Sequence, residues 1–182
     1  MKNTGIVRRI DDLGRLVIPK EIRKSMFLKE GTPLEIHITT EGDILLKKHN
    51  VLTTISDIAQ VFCEVIYGTL KFPTLITDCK NVICCEGISK KNYLNKNLSD
   101  SVKHMIMESQ SYMASVLDKT TLYPIIENEE VKFFSQLIVP IIYDEICEGT
   151  IILLDFDKKD KFNNTDIKVT HTLCNIMSKI LG

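Results

Sequence analysis

Apolar positions follow one period in the first fifty residues and another in the rest. Leu34, Ile36 and Ile38 alternate with Glu35, His37 and Thr39, which predicts a strand with one buried face. Glu41-Gly42 is a turn signal, and residues 43–48 return as a second strand. Upstream, residues 5–10 (GIVRRI) and 15–18 (RLVI) are short β-rich runs on either side of Asp11-Asp12-Leu13-Gly14. With the turn on residues 11–14, Ile10 faces Arg15 and Arg8 faces Val17. Arg8 and Arg15 then share one face of a hairpin. Pro19 suits the first turn of a helix over residues 20–27. Ile22 and Met26 share one side of that helix, and Arg23 and Lys24 lie away from it. The segment reads hairpin, short helix, hairpin. It is too small to bury much core alone, so two copies are expected to complete one another.

Beyond residue 50 the period lengthens. Ile55, Ile58, Ala59, Phe62, Cys63, Val65, Ile66 and Leu70 trace a wide helical stripe over residues 51–70. Because the helix follows directly, the junction at residues 49–53 is expected to be stiff. Residues 73–77 and 81–86 read as strands. Residues 98–117 read as a helix through Val102, Met105, Ile106, Ser109, Tyr112, Met113 and Val116. Residues 134–142 and 146–156 are so apolar that they belong at a sheet's centre, joined by the turn Tyr143-Asp144-Glu145. Pro140 calls for a bulge or an unpaired edge position. A last helix opens at Asn163, with Asp166 three residues on, and carries Val169, Leu173, Ile176 and Ile180. The expected domains are 1–50 and 51–182, in an α+β chain whose second domain has an antiparallel central sheet.

Composition sharpens this only through charge. The 182 residues are 44% hydrophobic and 26% charged, as in an ordinary globular protein. No apolar run is long enough to span a membrane, and MKNTGIVRR is no signal peptide, so a cytoplasmic location without membrane partners is expected. The net charge of -1 is an average: ten basic against seven acidic residues in 1–50 (net +3), thirteen against seventeen in 51–182 (net -4). All four arginines, Arg8, Arg9, Arg15 and Arg23, lie in the basic head, and the other 19 basic residues are lysines. A guanidinium offers a planar fork that bridges two phosphate oxygens or the O6/N7 edge of guanine; lysine is a point charge. Arg8, Arg9, Arg15, Arg23 and Lys24 are therefore the candidate contacts to double-stranded DNA. Asp11 and Asp12, beside them, either cap the turn or orient the arginines, and the sequence leaves both open.

The other candidate chemistry is thin. Six cysteines make no CxxC pair, and the four histidines have no ligand spacing, so no metal is expected. Cys84 and Cys85 point to opposite faces of a strand. A reactive thiol needs electropositive surroundings, yet Glu86 follows and no histidine is near, so no enzyme is expected. No polar constellation marks a cofactor.

TGIVRRIDDLGRLVIPKEIRK, GTPLEI and GDILLKK closely resemble the AbrB-type swapped-hairpin DNA-binding domain. That resemblance implies an interleaved β-barrel dimer, loose sequence preference, and DNA contacts on Arg8, Arg15 and Arg23 with Arg9 and Lys24 beside them. Lys24 stands where an arginine is common. VPIIYDEICEGTIILLD and FNNTDIK resemble a GAF domain. The combination, with KKNYLNK at 90–96, is similar to the SpoVT-like family of sporulation-stage transcription regulators. It implies a homotetramer of two head dimers, activation of some forespore genes and repression of others, and an unidentified small-molecule effector at most. The rival readings are an antitoxin-like interaction module and a cysteine-based GAF-fold reductase.

Overall fold

The alternating run Leu34–Ile38 and the return run Ile44–Lys48 form a two-stranded antiparallel sheet, β1 and β2, in the computed structural model. The described residues are 5–26, 28–48, 56–157 and 162–180. The chain divides into two compact units, Met1–His49 and Asn50–Gly182. The expected stiff junction at residues 49–53 lies outside the described residues.

In the first unit Ile36 pairs with Leu46 and Ile38 with Ile44, so Leu34, Ile36, Ile38, Ile44 and Leu46 share one face. Pro19 stands directly before helix α1, Lys20–Ser25, at its N-cap position. Two sequence readings change here. Residues 5–10 and 15–19 belong to no sheet within one chain. Their turn also closes one residue earlier: the Asp11 amide donates to the Arg15 carbonyl at 3.1 Å, so Asp11 rather than Ile10 stands opposite Arg15. Gly14 makes the difference. Its φ of 76° places it in the left-handed region, where it forms the bulge of a three-residue loop.

The second unit is built on a five-stranded antiparallel sheet in the order β4-β3-β7-β6-β5. The strands are β3 (Thr74–Thr77), β4 (Val82–Glu86), β5 (Tyr112–Ser115), β6 (Ser135–Tyr143) and β7 (Ile146–Asp155). All ten residues of β7 are buried, which is why that run is apolar on both faces. One face presents Ile76, Cys84, Val139, Ile151 and Leu153 to Ala59, Cys63 and Ile66 of α2 (Ser56–Leu70) and to Cys174 and Met177 of α5 (Asn164–Ile180). On the opposite face Leu75, Ile138 and Ile152 are fully buried. Helix α3 (Lys90–Tyr93) packs against β4, and α4 (Asp100–Glu108) against β7.

The α5 start forms the expected reciprocal cap. Asn163 Oδ1 accepts from the Thr165 and Asp166 amides at 2.7 and 3.1 Å, and Asp166 Oδ2 accepts from the Asn163 amide at 2.8 Å. Asp144 and Glu145 both take positive φ, the two-residue turn that a tight hairpin prefers. Pro140 sits in register opposite Thr150, and the bulge falls one step later, between Ile141 and Ile142.

Three apolar patterns were read too simply. The helix expected over residues 98–117 stops at Ser109, whose φ of 52° ends it, and Tyr112–Ser115 pairs with β6 as an edge strand. Tyr112 and Met113 therefore belong to a strand, and Val116 follows it. Pairing against a long apolar neighbour overrode a helical period that continued by coincidence. The α5 stripe is rotated: Asp166, Thr170, Cys174 and Met177 are buried, whereas Ile176 and Ile180 are exposed. On α2, Ala59, Cys63 and Ile66 point inward while Ile58, Val61 and Val65 form a second, exposed apolar stripe.

Gly87 links β4 to the next segment at a φ of 74°, and a Cβ there would fall 2.2 Å from the Tyr67 ring of α2. Gly87→Ala should therefore lower the unfolding free energy by about 1–2 kcal/mol, through left-handed strain and displacement of that ring. A unchanged midpoint in urea denaturation would show that the ring swings away freely.

Candidate nucleic-acid interface

Arg8, Arg9, Arg15, Arg23 and Lys24 are all exposed on the first unit. Three of them flank the Asp11–Gly14 turn, and two lie on α1. The turn holds itself together through one carboxylate. Asp11 Oδ1 accepts from the Leu13 amide at 3.0 Å and from the Arg15 amide at 2.7 Å. Asp11 Oδ2 accepts from Arg15 Nε at 2.8 Å. The Arg15 amide first, and its guanidinium second, hold the Asp11 carboxyl below the usual carboxylate range. The bond to Nε leaves the terminal Nη1 and Nη2 of Arg15 unspent, and the side chain is 70% exposed. Asp11 thus does both things the sequence left open: it caps the turn and it grips the arginine. The signal was present as an aspartate at the turn's first position, a glycine at its fourth and an arginine directly after.

Moving the register by one changes which arginines share a face. With Asp11 opposite Arg15, the two-residue period sets Arg9, not Arg8, beside Arg15. Arg8 instead lines an open apolar cavity of about 290 Å³ with Ile6, Leu16, Ile18, Ile22 and Leu46. Its Nη1 donates to the Val7 carbonyl at 3.2 Å, so its stem lies along apolar surface while its head stays at the rim. Ile22 of α1 and Met26, directly after it, line the same cavity, as their spacing predicted. Arg23 and Lys24 are on the exposed side of α1.

The cavity opens beside an uncovered apolar surface. Ile36, Ile38 and Ile44, which share one face of the β1–β2 hairpin, are 69%, 78% and 68% exposed. A strand face this apolar is rarely left to water.

The second unit offers less chemistry. All six cysteines are buried free thiols. Burial pushes the Cys85 and Cys174 thiols up, and hydrogen bonding to Cys84 pushes Cys63 up as well. Among the described residues no cluster of His, Cys, Asp or Glu is placed to hold a metal ion, and no helix is long and apolar enough to cross a membrane. A cavity of about 290 Å³ is lined by Ser89, Asn92, Tyr93, Glu129, Lys132 and Phe156. The Glu129 carboxylate in it accepts from the Tyr93 hydroxyl and, at 2.5 and 3.3 Å, from the Ile125 and Ile126 amides.

Comparison with known proteins finds one family match in each part of the chain. The family described as "Stage V sporulation protein T C-terminal, transcription factor" matches residues 54–182. The family described as "Antidote-toxin recognition MazE, bacterial antitoxin" matches residues 7–51. Stage V sporulation protein T of Bacillus subtilis (strain 168) is 34% identical over 179 residues, 98% of each chain. The transition state regulatory protein AbrB of the same organism is 51% identical over 49 residues, which is 27% of this chain and half of AbrB. The GAF domain of an Acinetobacter phosphoenolpyruvate-protein phosphotransferase superposes with a TM-score of 0.58 at 16% identity, over 72% of this chain and 87% of that one, and so shares the fold alone. With an AbrB-type head and a GAF-like body matched end to end, this chain belongs to the stage V sporulation protein T family of transcription factors.

Proposed function

We propose that this protein is a DNA-binding regulator of sporulation-stage genes, acting as an activator at some and a repressor at others. Two heads interleave into a dimer whose basic surface meets double-stranded DNA. Arg8, Arg9, Arg15, Arg23 and Lys24 make the contacts, largely to phosphates and with loose sequence preference. The observation that carries this reading is the head itself: every arginine of the chain is exposed there, while the apolar face of β1–β2 is left uncovered. A second copy would bury that face and double the basic surface about a two-fold axis. The exposed apolar stripes on α2 and α5, two helices that contact one another, support a further contact between bodies and hence a homotetramer. The proposed setting is the cytoplasm of the forespore, on the nucleoid.

Fluorescence anisotropy of a labelled duplex titrated with the full chain tests this. Log affinity should fall with log salt at a slope of about -0.9 per phosphate neutralised. Arg15→Lys keeps the charge but loses the fork, and should weaken binding by about tenfold. A flat salt response, or equal affinity for Arg15→Lys and wild type, would overturn the reading.

The match to antitoxins at residues 7–51 favours a second reading, an interaction module. Against it, the segment after the head is a folded unit, not a tail that could wrap a toxin. The reductase reading lacks support, because its thiols are buried and pushed up. A small-molecule effector in the Tyr93–Glu129 cavity would compete with the protein's own Glu129 carboxylate, which already accepts from the Ile125 and Ile126 amides.

A further inference from the structure

We infer that Asp11 is a positioning residue for DNA recognition: by gripping Arg15 at Nε it presents the Nη1/Nη2 fork to DNA in one orientation. The inference rests on the reading above that Arg15 touches DNA.

Three contacts converge on this one carboxylate, two from backbone amides of the turn and one from the arginine side chain. The backbone contacts fix the carboxylate to a short loop whose shape Gly14 sets. The carboxylate is therefore a rigid anchor, and the arginine hangs from it by its inner nitrogen. A free arginine on an exposed turn must give up much rotamer freedom when it binds. One already tethered at Nε gives up less, which raises affinity without adding a contact. The tether also selects geometry. With Nε occupied by Asp11, the fork left for DNA is the end-on pair of terminal nitrogens, which matches two phosphate oxygens or guanine O6/N7.

Simple charge counting predicts the opposite of this role. A carboxylate near the phosphate backbone repels it, so neutralising Asp11 should tighten binding. Positioning says that neutralising it should weaken binding. Asp12 supplies the control. It is the next residue, carries the same charge and is exposed, but none of the three contacts to the turn and Arg15 involves it.

The experiment compares Asp11→Asn, Asp12→Asn and Arg15→Ala, and the double variant of Asp11→Asn with Arg15→Ala, in the full chain. The probe is a 30-base-pair duplex selected from a random pool by the wild-type protein, with a scrambled duplex beside it. Asparagine keeps an oxygen for the Leu13 and Arg15 amides, so the turn should persist; an unchanged melting temperature verifies it. Asp11→Asn should bind the selected duplex about tenfold more weakly, and Asp12→Asn as well as wild type or better. In the Arg15→Ala background, Asp11→Asn should cause no further weakening. A protected Nε–Hε resonance of Arg15 should be present in wild type and lost in Asp11→Asn, a signature that a purely structural cap would not give. Equal or tighter binding by Asp11→Asn, or weakening of the same size without Arg15, overturns the inference. If Arg15→Ala binds like wild type, the reading beneath it falls too, so the two failures are told apart.

Discussion

If two heads interleave as proposed, Ile36→Glu should break that assembly and reduce DNA affinity by roughly 100-fold or more. Ile36 lies at the centre of β1, opposite Leu46, on the face that also carries Leu34, Ile38 and Ile44. In one chain that side chain is mostly exposed, so a glutamate there costs the isolated head little. The cost falls on assembly. A second copy would bury the new carboxylate in an apolar contact with no partner, which is worth several kcal/mol on each side of the two-fold axis. Every 1.4 kcal/mol is tenfold in affinity, and DNA binding needs both half-surfaces in register. Light scattering should find the assembly mass halved, as head contacts are lost and body contacts remain. Anisotropy should find only weak, salt-sensitive binding. Unchanged mass and affinity would mean that the β1–β2 face is not where two copies meet.

Ile151→Ala should destabilise the body by about 2–5 kcal/mol, the range for deleting three buried carbons from a packed site. Ile151 is fully buried in β7, the central strand, between Ile76 of β3 and Val139 of β6. All three sit in the cluster that α2 and α5 cover. The sheet is pinned by strands on both sides and the helices from above, so the site has little room to collapse. A loss of this size is a large part of the 5–15 kcal/mol that ordinary domains possess. Ile142→Ala, on the neighbouring strand but 41% exposed, should change stability by only about 0.5 kcal/mol. Urea denaturation followed by circular dichroism separates the two. Equal losses would mean that the β7 core repacks around the gap.

The elements that the sequence made legible are those whose signal is local. β1 was readable from strict alternation and β2 from the Glu41-Gly42 turn that sends the chain back, although the apolar face they share is left exposed in one chain. The α5 start was readable because Asn163 and Asp166 cap each other within four residues. The apolar runs of β6 and β7 named the sheet's centre, since only a strand covered on both faces tolerates them. The candidate interface was legible in the same way, as residue type: arginines where a chain otherwise uses lysine.

What failed was whatever depended on a neighbour from elsewhere. Tyr112 and Met113 extended the α4 pattern, and only the presence of β6 alongside made them a strand. Val65 and Ile66 are adjacent and equally apolar, yet one is exposed and the other buried, because the sheet lies on one side of α2 only. The turn register needed an exact hydrogen-bond partner, and a slip of one residue moved Arg8 from the face of Arg15 to the rim of the apolar cavity. By itself the sequence determined most element types, the two-part organisation of charge and the confinement of arginine to the head. The tertiary structure alone decided which side of each element is buried and that Tyr112–Ser115 pairs with β6 as a strand. Periodicity and residue chemistry are carried by the chain one position at a time, whereas facing and partnership exist only once distant segments have come together.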